Sequence, residues 1–177
     1  MTDFIEHASK RQSCRDFSDK PVEREKLVKC LEAARLTPSG CNSQPWRVLV
    51  VTDPAVLPEV AKTTQQLGLN EYTSKAQAFF VVLETYAKLM PKIASMFDSQ
   101  VFAKGDLGAF TYALTLEAEA QGLGTVILGM FDRPKLIELL KIPAGESIFL
   151  VVAVGYPAKE GARPKARKSL EEIHAFI

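Results

Sequence analysis

Two uninterrupted apolar runs limit what this chain can fold into more than any other feature. They read AFFVVL at 78–83 and IFLVVAVG at 148–155. Both are far shorter than the roughly 20 apolar residues that a membrane-spanning helix needs, whereas their length is typical of strands. The sequence therefore predicts a sheet in a buried core.

Strand and helix patterns alternate along most of the chain, which is typical of layered α/β or α+β proteins. The sequence shows neither an internal repeat nor a linker, so we expect a single domain over 1–177. Strands are predicted over 47–53, 78–85, 125–131 and 147–156. Helices are predicted over 3–11 with Thr2 as N-cap, from a first turn at Pro21 to Thr37, and over 54–67, 106–121 and 134–141.

The predicted helix over 106–121 is apolar on more than one face, and such a helix must be buried. Two explanations remain open: it packs against a second subunit, or it is the central helix of one monomer core. The preceding segment, 86–104, mixes Met, Phe and Tyr with no clean period.

Composition excludes several functional classes. With 22 basic and 21 acidic side chains, the chain has no general nucleic-acid-binding or membrane-binding charge. Three cysteines without a C-x-x-C pair, and two histidines at opposite ends, argue against a disulfide framework and a metal site. Neither histidine is marked as a base for Cys41, so a thiol mechanism is disfavoured. The first residues lack the apolar core of a signal peptide, and we expect a cytoplasmic protein.

Polar and basic residues concentrate in three short segments. The loop PSGCNSQPW at 38–46 has more hydrogen-bonding side chains than a turn requires, which suggests that it holds something polar. The segments RQSCR at 11–15 and RPKARK at 163–168 offer the guanidinium and hydroxyl groups that bind phosphate. Neither a Walker loop nor a G-x-G-x-x-G motif is present, so nucleotide binding in those two modes has no support.

Taken together, these segments resemble the FMN-dependent nitroreductase family. Its members typically show an R-x-S-x-R/K-x-F start, as in RQSCRDF, and an A-P-S-x-x-N-x-Q-P-W loop, here LTPSGCNSQPW. The resemblance resumes with AEAQGLGTVILGMFD and ends with ARPKARKSLEEI, so it covers nearly the whole chain. It implies an α+β fold, a three-layer α/β/α sandwich with a mixed central sheet flanked by helices. It also implies a homodimer that exchanges a C-terminal arm and binds FMN at the subunit interface.

The resemblance further implies which residues bind the cofactor. Contacts to the phosphate and ribityl chain fall on Arg11, Gln12, Ser13 and Arg15. Contacts from the other subunit fall on Pro38, Ser39 and Asn42. The remaining contacts are those of Asn70 with the flavin, of the backbone N–H groups of Leu128 and Gly129 near N5, and of Lys165 and Arg167 with the phosphate and pyrimidine.

Three positions depart from the family pattern. Gln12 stands where many members carry a second arginine, and Thr73 where some have a lysine near the flavin. Leu128 replaces the glutamate of one subgroup, a change that a backbone contact survives.

The activity implied by the resemblance is hydride transfer from NADH or NADPH, through flavin N5, to nitroaromatics, quinones or similar acceptors in a ping-pong scheme. No protein side chain is assigned a catalytic role, because the cofactor carries the chemistry. Alternatives are reductive dehalogenation, flavin breakdown, or a non-catalytic protein that stores or senses FMN. The sequence leaves open the physiological acceptor and the choice between NADH and NADPH.

Overall fold

A four-stranded sheet forms the centre of the computed structural model, which describes residues 4–177. The strand order is β1-β2-β4-β3, and every neighbouring pair is antiparallel. The sheet is thus not the mixed one that the resemblance implies, because alternation of strands and helices predicts layers but does not fix strand direction. Parallel pairing is confined to an isolated bridge between Ser13 and Thr125. The strands are β1 (Trp46–Val51), β2 (Ala78–Glu84), β3 (Gly124–Leu128) and β4 (Ser147–Gly155).

Six α-helices connect or flank these strands within the described part of the chain. The predicted N-cap Thr2 lies outside the described residues. Pro21 is not in a first helical turn as predicted, since the second helix begins only after its N-cap Glu23. Short 3₁₀ turns cover Gly40–Asn42, Gln66–Gly68 and Glu71–Lys75. The helices are α1 (Phe4–Lys10), α2 (Arg24–Ala34), α3 (Leu57–Thr64), α4 (Pro91–Ala94), α5 (Ser99–Ala120) and α6 (Arg133–Leu140).

Strand β2 shows why the fold has three layers. Its side chains alternate between two faces, and both faces are buried. Phe79 belongs to a core that includes residues of α3 and α6, whereas Phe80 belongs to a second core with residues of α2 and α5. The predicted α/β/α sandwich is therefore confirmed.

Helix α5 begins at Ser99, well before the predicted start at Asp106. Its N-terminus is fixed by Asp98, whose Oδ1 accepts the backbone N–H of Gln100 at 3.0 Å. The early turns showed no amphipathic period because apolar side chains there also point outward; Val101, for example, is 65% exposed.

One face of α5 is open in the single chain. Leu107 and Leu114 are fully buried beneath the helix, but Phe102 and Tyr112 lie on its surface at 39% and 43% exposure. The core of one chain therefore covers one face of α5, and the packing of a second subunit against the other face stays a prediction. Among residues 4–177, no helix has both the length and the apolar character needed to cross a membrane.

The segment that follows α1 lies against the sheet at the start of β3. The backbone N–H of Cys14 donates to the carbonyl of Thr125 at 2.9 Å. This approach depends on Gly124, where a Cβ atom would lie 2.7 Å from the Cys14 Sγ. The G-L-G sequence thus does more than end a helix: Gly122 (φ 76°) allows the turn, and Gly124 makes room for the segment that carries the first basic cluster.

Candidate functional site

The structure places three of the predicted cofactor residues in one basic cluster. Lys165 Nζ donates a hydrogen bond to the backbone carbonyl of Arg11, although 154 positions separate them in the sequence. Burial, and then the charges of Arg167 and Arg11, lower the pKa of Lys165. Burial also lowers the pKa of Arg11, and the charge of Arg167 adds to this effect. The three cations are therefore close enough to repel one another.

Arg11 is the least satisfied side chain of this cluster. Its Nε and Nη2 atoms are buried and have no hydrogen-bond partner among residues 4–177. A buried polar group without a partner is unfavourable, and a buried charge more so. An anion at this point would both pair with the guanidinium and reduce the repulsion between the cations.

The neighbours of Arg11 have different surroundings. Ser13 is half-buried and bridges to Thr125, whereas Arg15 is exposed. Gln12 uses its carboxamide within the chain: Nε2 donates to the carbonyl of Gly161 at 2.8 Å, and Oε1 accepts from the backbone N–H and the Nε of Arg163 at 3.2 and 3.1 Å. The structure thus joins Gln12 to the tail.

A cavity of about 470 Å³ borders the cluster but does not coincide with the predicted site. It shares Arg11 and Gln12 with the predicted set and none of the other ten residues. Its remaining walls come from the end of α5, the start of β3 and the beginning of the tail. The buried, unpaired nitrogens of Arg11 favour an anion at the cluster, whereas the volume of the neighbouring cavity favours no particular ligand.

The loop at 38–46 is anchored to α5 rather than to the basic cluster. The backbone N–H of Gly40 donates to Asp106 Oδ2 at 3.0 Å, and Ser39 Oγ accepts from the backbone N–H of Gln44 at 3.0 Å. Asn42 has a positive φ of 52°, which favours a fixed turn over an extended linker. No hydrogen bond among the described residues joins this loop to Arg11 or the tail. Among the described residues, no hydrogen bond therefore links Pro38, Ser39 or Asn42 to the cluster of the same chain.

Asn70 is held rigidly by its neighbours. Its backbone is left-handed (φ 59°), its Nδ2 donates to the carbonyl of Thr64 at 3.0 Å, and its Oδ1 accepts from the Tyr72 hydroxyl at 2.7 Å. Thr73 is fully buried with its hydroxyl 2.9 Å from that of Thr64. Threonine at this position thus supports the turn that carries Asn70.

The end of β3 offers exposed backbone beside a buried side chain. Leu128 is only 4% exposed, whereas Gly129 is exposed and a Cβ built on it would have no heavy atom of the chain within 4 Å. The space next to Gly129 is thus free for a ligand, as the prediction of backbone contacts there requires.

Sequence reasoning missed two residues that support the predicted contacts. Asp106 anchors the loop from a position 66 residues away, and no local pattern signals such a pairing. Tyr72 orients Asn70 from two residues away, so a polar aromatic next to a candidate asparagine was a signal that could have found it.

The buried thiols do not suit nucleophilic chemistry. Burial raises the pKa of the Cys14 thiol, and burial together with Glu117 raises the pKa of Cys30 to about 12. Both are therefore protonated at neutral pH, while the reactive form of cysteine is the thiolate.

Fold and site together define an α+β protein with a cluster of basic side chains between its N-terminal segment and its tail. The nitroreductase family model matches residues 8–156. A protein of Archaeoglobus fulgidus described as an NADH dehydrogenase/NAD(P)H nitroreductase is 33% identical, over 90% of this chain and 88% of the relative. The FMN reductase [NAD(P)H] of Bacillus subtilis is 27% identical over 98% and 73%. An iodotyrosine deiodinase of Nematostella vectensis is 26% identical over 97% and 74%.

A solved structure of a nitroreductase family protein has the same fold. A nitroreductase family protein from Streptococcus pneumoniae TIGR4 superposes with a TM-score of 0.87 at 25% identity, covering 99% of this chain and 100% of that one. The chain belongs to the nitroreductase family.

Proposed function

We propose that this chain binds FMN and transfers hydride from NADH or NADPH to nitroaromatic, quinone or similar acceptors. The observation that carries the proposal is the Arg11 guanidinium, whose buried Nε and Nη2 atoms have no hydrogen-bond partner among residues 4–177 and which lies near Lys165 and Arg167. A dianionic phosphate is the ligand that such a cluster fits best. The family and the relatives show that the chain is an NAD(P)H-dependent oxidoreductase.

In the proposed site, bound FMN would supply the hydride-transfer chemistry. Its N5 atom would accept hydride from one substrate and pass it to the next in a ping-pong scheme. The chain's own residues bind and orient. Phosphate and ribityl contacts fall to Arg11, Ser13 and Arg15. Lys165 and Arg167 complete the phosphate and pyrimidine contacts, and their positive charge also favours an anionic reduced ring.

Two further groups of residues would face the ring. Asn70, fixed by Tyr72 and Thr64, offers an amide whose orientation is already set. Leu128 and Gly129 present backbone N–H groups at the exposed end of β3. Because these groups are fixed before the ligand arrives, little reorganisation is needed on binding.

The proposed enzyme is a homodimer in which Pro38, Ser39 and Asn42 reach the FMN of the partner copy. Three observations support this: the loop makes no hydrogen bond to the cluster of its own chain, the apolar face of α5 is open, and apolar side chains of the C-terminal arm are exposed. The arm contributes Leu170 at 67% exposure and Phe176 at 96%. Sedimentation of the full chain, and of a variant ending at Lys168, tests this assembly; a monomeric full chain would contradict it.

The visible spectrum of the purified protein tests the function. We expect flavin bands that bleach on anaerobic addition of NADH or NADPH and return when a nitroaromatic or quinone is added. Bands that stay unbleached would favour storage or sensing of FMN. A colourless protein that also fails to bind added FMN would contradict the proposal.

Reductive dehalogenation is a second candidate, favoured by the relative described as an iodotyrosine deiodinase. It predicts release of iodide from iodotyrosine by the reduced protein. Flavin breakdown has no specific observation in its favour. The cytoplasmic location also stays a prediction from the sequence.

A further inference from the structure

The basic tail is fastened along the N-terminal segment by a continuous seam, which we define as residues 11–18 with 156–165. At one end the pairing is between backbones: the N–H of Ser18 donates to Tyr156 at 2.9 Å, and that of Ala158 donates to Asp16 at 3.0 Å. Beyond residue 158, side chains provide the hydrogen bonds of the seam.

Gln12 and Arg163 make most of these later contacts. The Gln12 carboxamide bonds the tail at Gly161 and Arg163 through the three hydrogen bonds described above. Arg163 returns the contact, since its Nη2 donates to the carbonyl of Ser13 at 2.9 Å. After Lys165, the hydrogen bonds of the tail are local ones, such as that from Arg167 Nη1 to the carbonyl of Ala166.

This seam holds together residues that electrostatics pushes apart. Arg11, Lys165 and Arg167 share one sign of charge, and their proximity contributes to the lowered pKa values of Arg11 and Lys165. Without an anion, the three cations of the cluster contribute no negative charge to offset that repulsion. Hydrogen bonds from neighbouring positions must therefore keep the tail in place.

We propose that Gln12 and Arg163 form a clamp that positions the tail so that Lys165 and Arg167 face Arg11. The proposal rests on the proposed function, in which these three cations hold the FMN phosphate. Gln12 and Arg163 are then positioning residues that act through the tail. Gln12 affects the phosphate without contacting it.

The chemistry of the clamp explains why a glutamine occupies position 12. A neutral carboxamide donates and accepts at the same time, and the clamp uses both abilities, toward Gly161 and toward Arg163. An arginine side chain has no acceptor and would add a further positive charge next to Arg163. A glutamine instead of an arginine at position 12 is therefore consistent with a tail in which Arg163 already supplies a guanidinium.

A comparison of two flavins tests the clamp, because riboflavin lacks the phosphate that FMN carries. We expect Gln12→Ala to weaken FMN binding about ten-fold and riboflavin binding about two-fold. Dissociation constants come from fluorescence titration of the full-length chain. The matched control is Lys62→Ala, which removes an exposed cation on α3 that pairs with Glu59 at 2.7 Å.

Arg163→Lys separates geometry from charge. An ammonium group keeps the charge but cannot reproduce the planar fork that reaches both Gln12 Oε1 and the Ser13 carbonyl. We expect this variant to lose nearly as much FMN affinity as Gln12→Ala, and the double variant to lose no more than either single change. Wild-type affinity in Arg163→Lys would overturn the clamp, since charge alone would then suffice.

Two further outcomes are decisive. Equal losses for FMN and riboflavin would overturn the clamp, because a merely structural role does not distinguish the two ligands. A wild-type protein that binds neither flavin would instead contradict the proposed function. The clamp itself would then be decided by amide hydrogen exchange: faster exchange at 159–167 in Gln12→Ala supports it, and unchanged exchange overturns it.

Discussion

The seam and the segment over 85–98 differ in hydrogen bonding and in the exposure of their side chains. In the seam, backbone and side-chain hydrogen bonds tie the tail to residues 11–18, and a guanidinium is buried beside them. In the segment, Tyr86 is 67% exposed and Phe97 55%. Gln100 fastens its start, accepting from the N–H of Ala87 at 2.9 Å and donating to Glu84 at 2.7 Å.

The difference indicates where the chain requires precision. Placing like charges around one phosphate needs fixed positions, because a charged hydrogen bond depends strongly on distance and direction. Apolar surface is less demanding, because hydrophobic contact is non-directional. The resemblance to the nitroreductase family implies that this exposed segment borders the acceptor pocket. In the proposed enzyme, we therefore expect the basic cluster to select a single cofactor and the segment to accommodate acceptors of varied shape.

The largest effect is expected from Arg11→Ala, which removes the guanidinium at the centre of the basic cluster. Loss of a charged contact commonly costs about 1.5–3 kcal/mol, so FMN affinity should fall roughly ten- to hundred-fold. Stability without flavin should stay the same or rise, because the variant no longer buries an unpaired guanidinium. Flavin titration and thermal unfolding measure the two quantities.

Arg35→Ala is the matched control for this change, since Arg35 is exposed on the surface after α2, where it pairs with Glu32. It should leave flavin affinity unchanged. Full stability together with wild-type flavin affinity in Arg11→Ala would remove Arg11 from the proposed site.

A smaller effect is expected at Asp106, which fixes the loop at 38–46. Asp106→Ala leaves the half-buried N–H of Gly40 without its acceptor and should lower the free energy of unfolding by about 1–2 kcal/mol. Asp106→Asn keeps an oxygen acceptor and should lose less than half as much. Urea unfolding of both variants measures this, and equal losses would show that the carboxylate charge matters more than the hydrogen bond.

The smallest effect is expected from Gln100→Ala, which loosens the exposed segment. We expect the KM for a quinone acceptor to change about two- to ten-fold, while the FMN dissociation constant stays within about two-fold. Steady-state kinetics and flavin titration give both values, with exposed Gln66→Ala as control. Equal changes in the FMN dissociation constant and in the KM for the acceptor would show that the segment over 85–98 and the basic cluster do not act independently.

Much of the fold could be predicted because its signals are local. The apolar runs gave β2 and β4, and glycines and prolines marked several element ends. The early start of α5 was missed because its first turns face outward, although Asp98 followed by Ser99 was a recognisable cap signal. Strand direction could not be predicted, since it depends on how helices cross the sheet.

The candidate site could be predicted from the sequence only in part. The basic residues stood out individually, but the pairing of Arg11 with Lys165 is non-local, and the family resemblance rather than any pattern brought them together. The hydrogen-bond partners of Gln12 could not be predicted from the sequence for the same reason. A side chain's partner depends on the folded path of the tail, which no local propensity encodes.

The close approach at Gly124 has a consequence for how this chain can evolve. A single methyl group there would meet Cys14 Sγ at 2.7 Å and displace the segment that carries Arg11. In a survey of every possible substitution, Gly124 should therefore rank among the least tolerant positions, although it is neutral and has no side chain. Every other residue carries at least a Cβ atom, so no substitution at Gly124 preserves this approach of the N-terminal segment to β3.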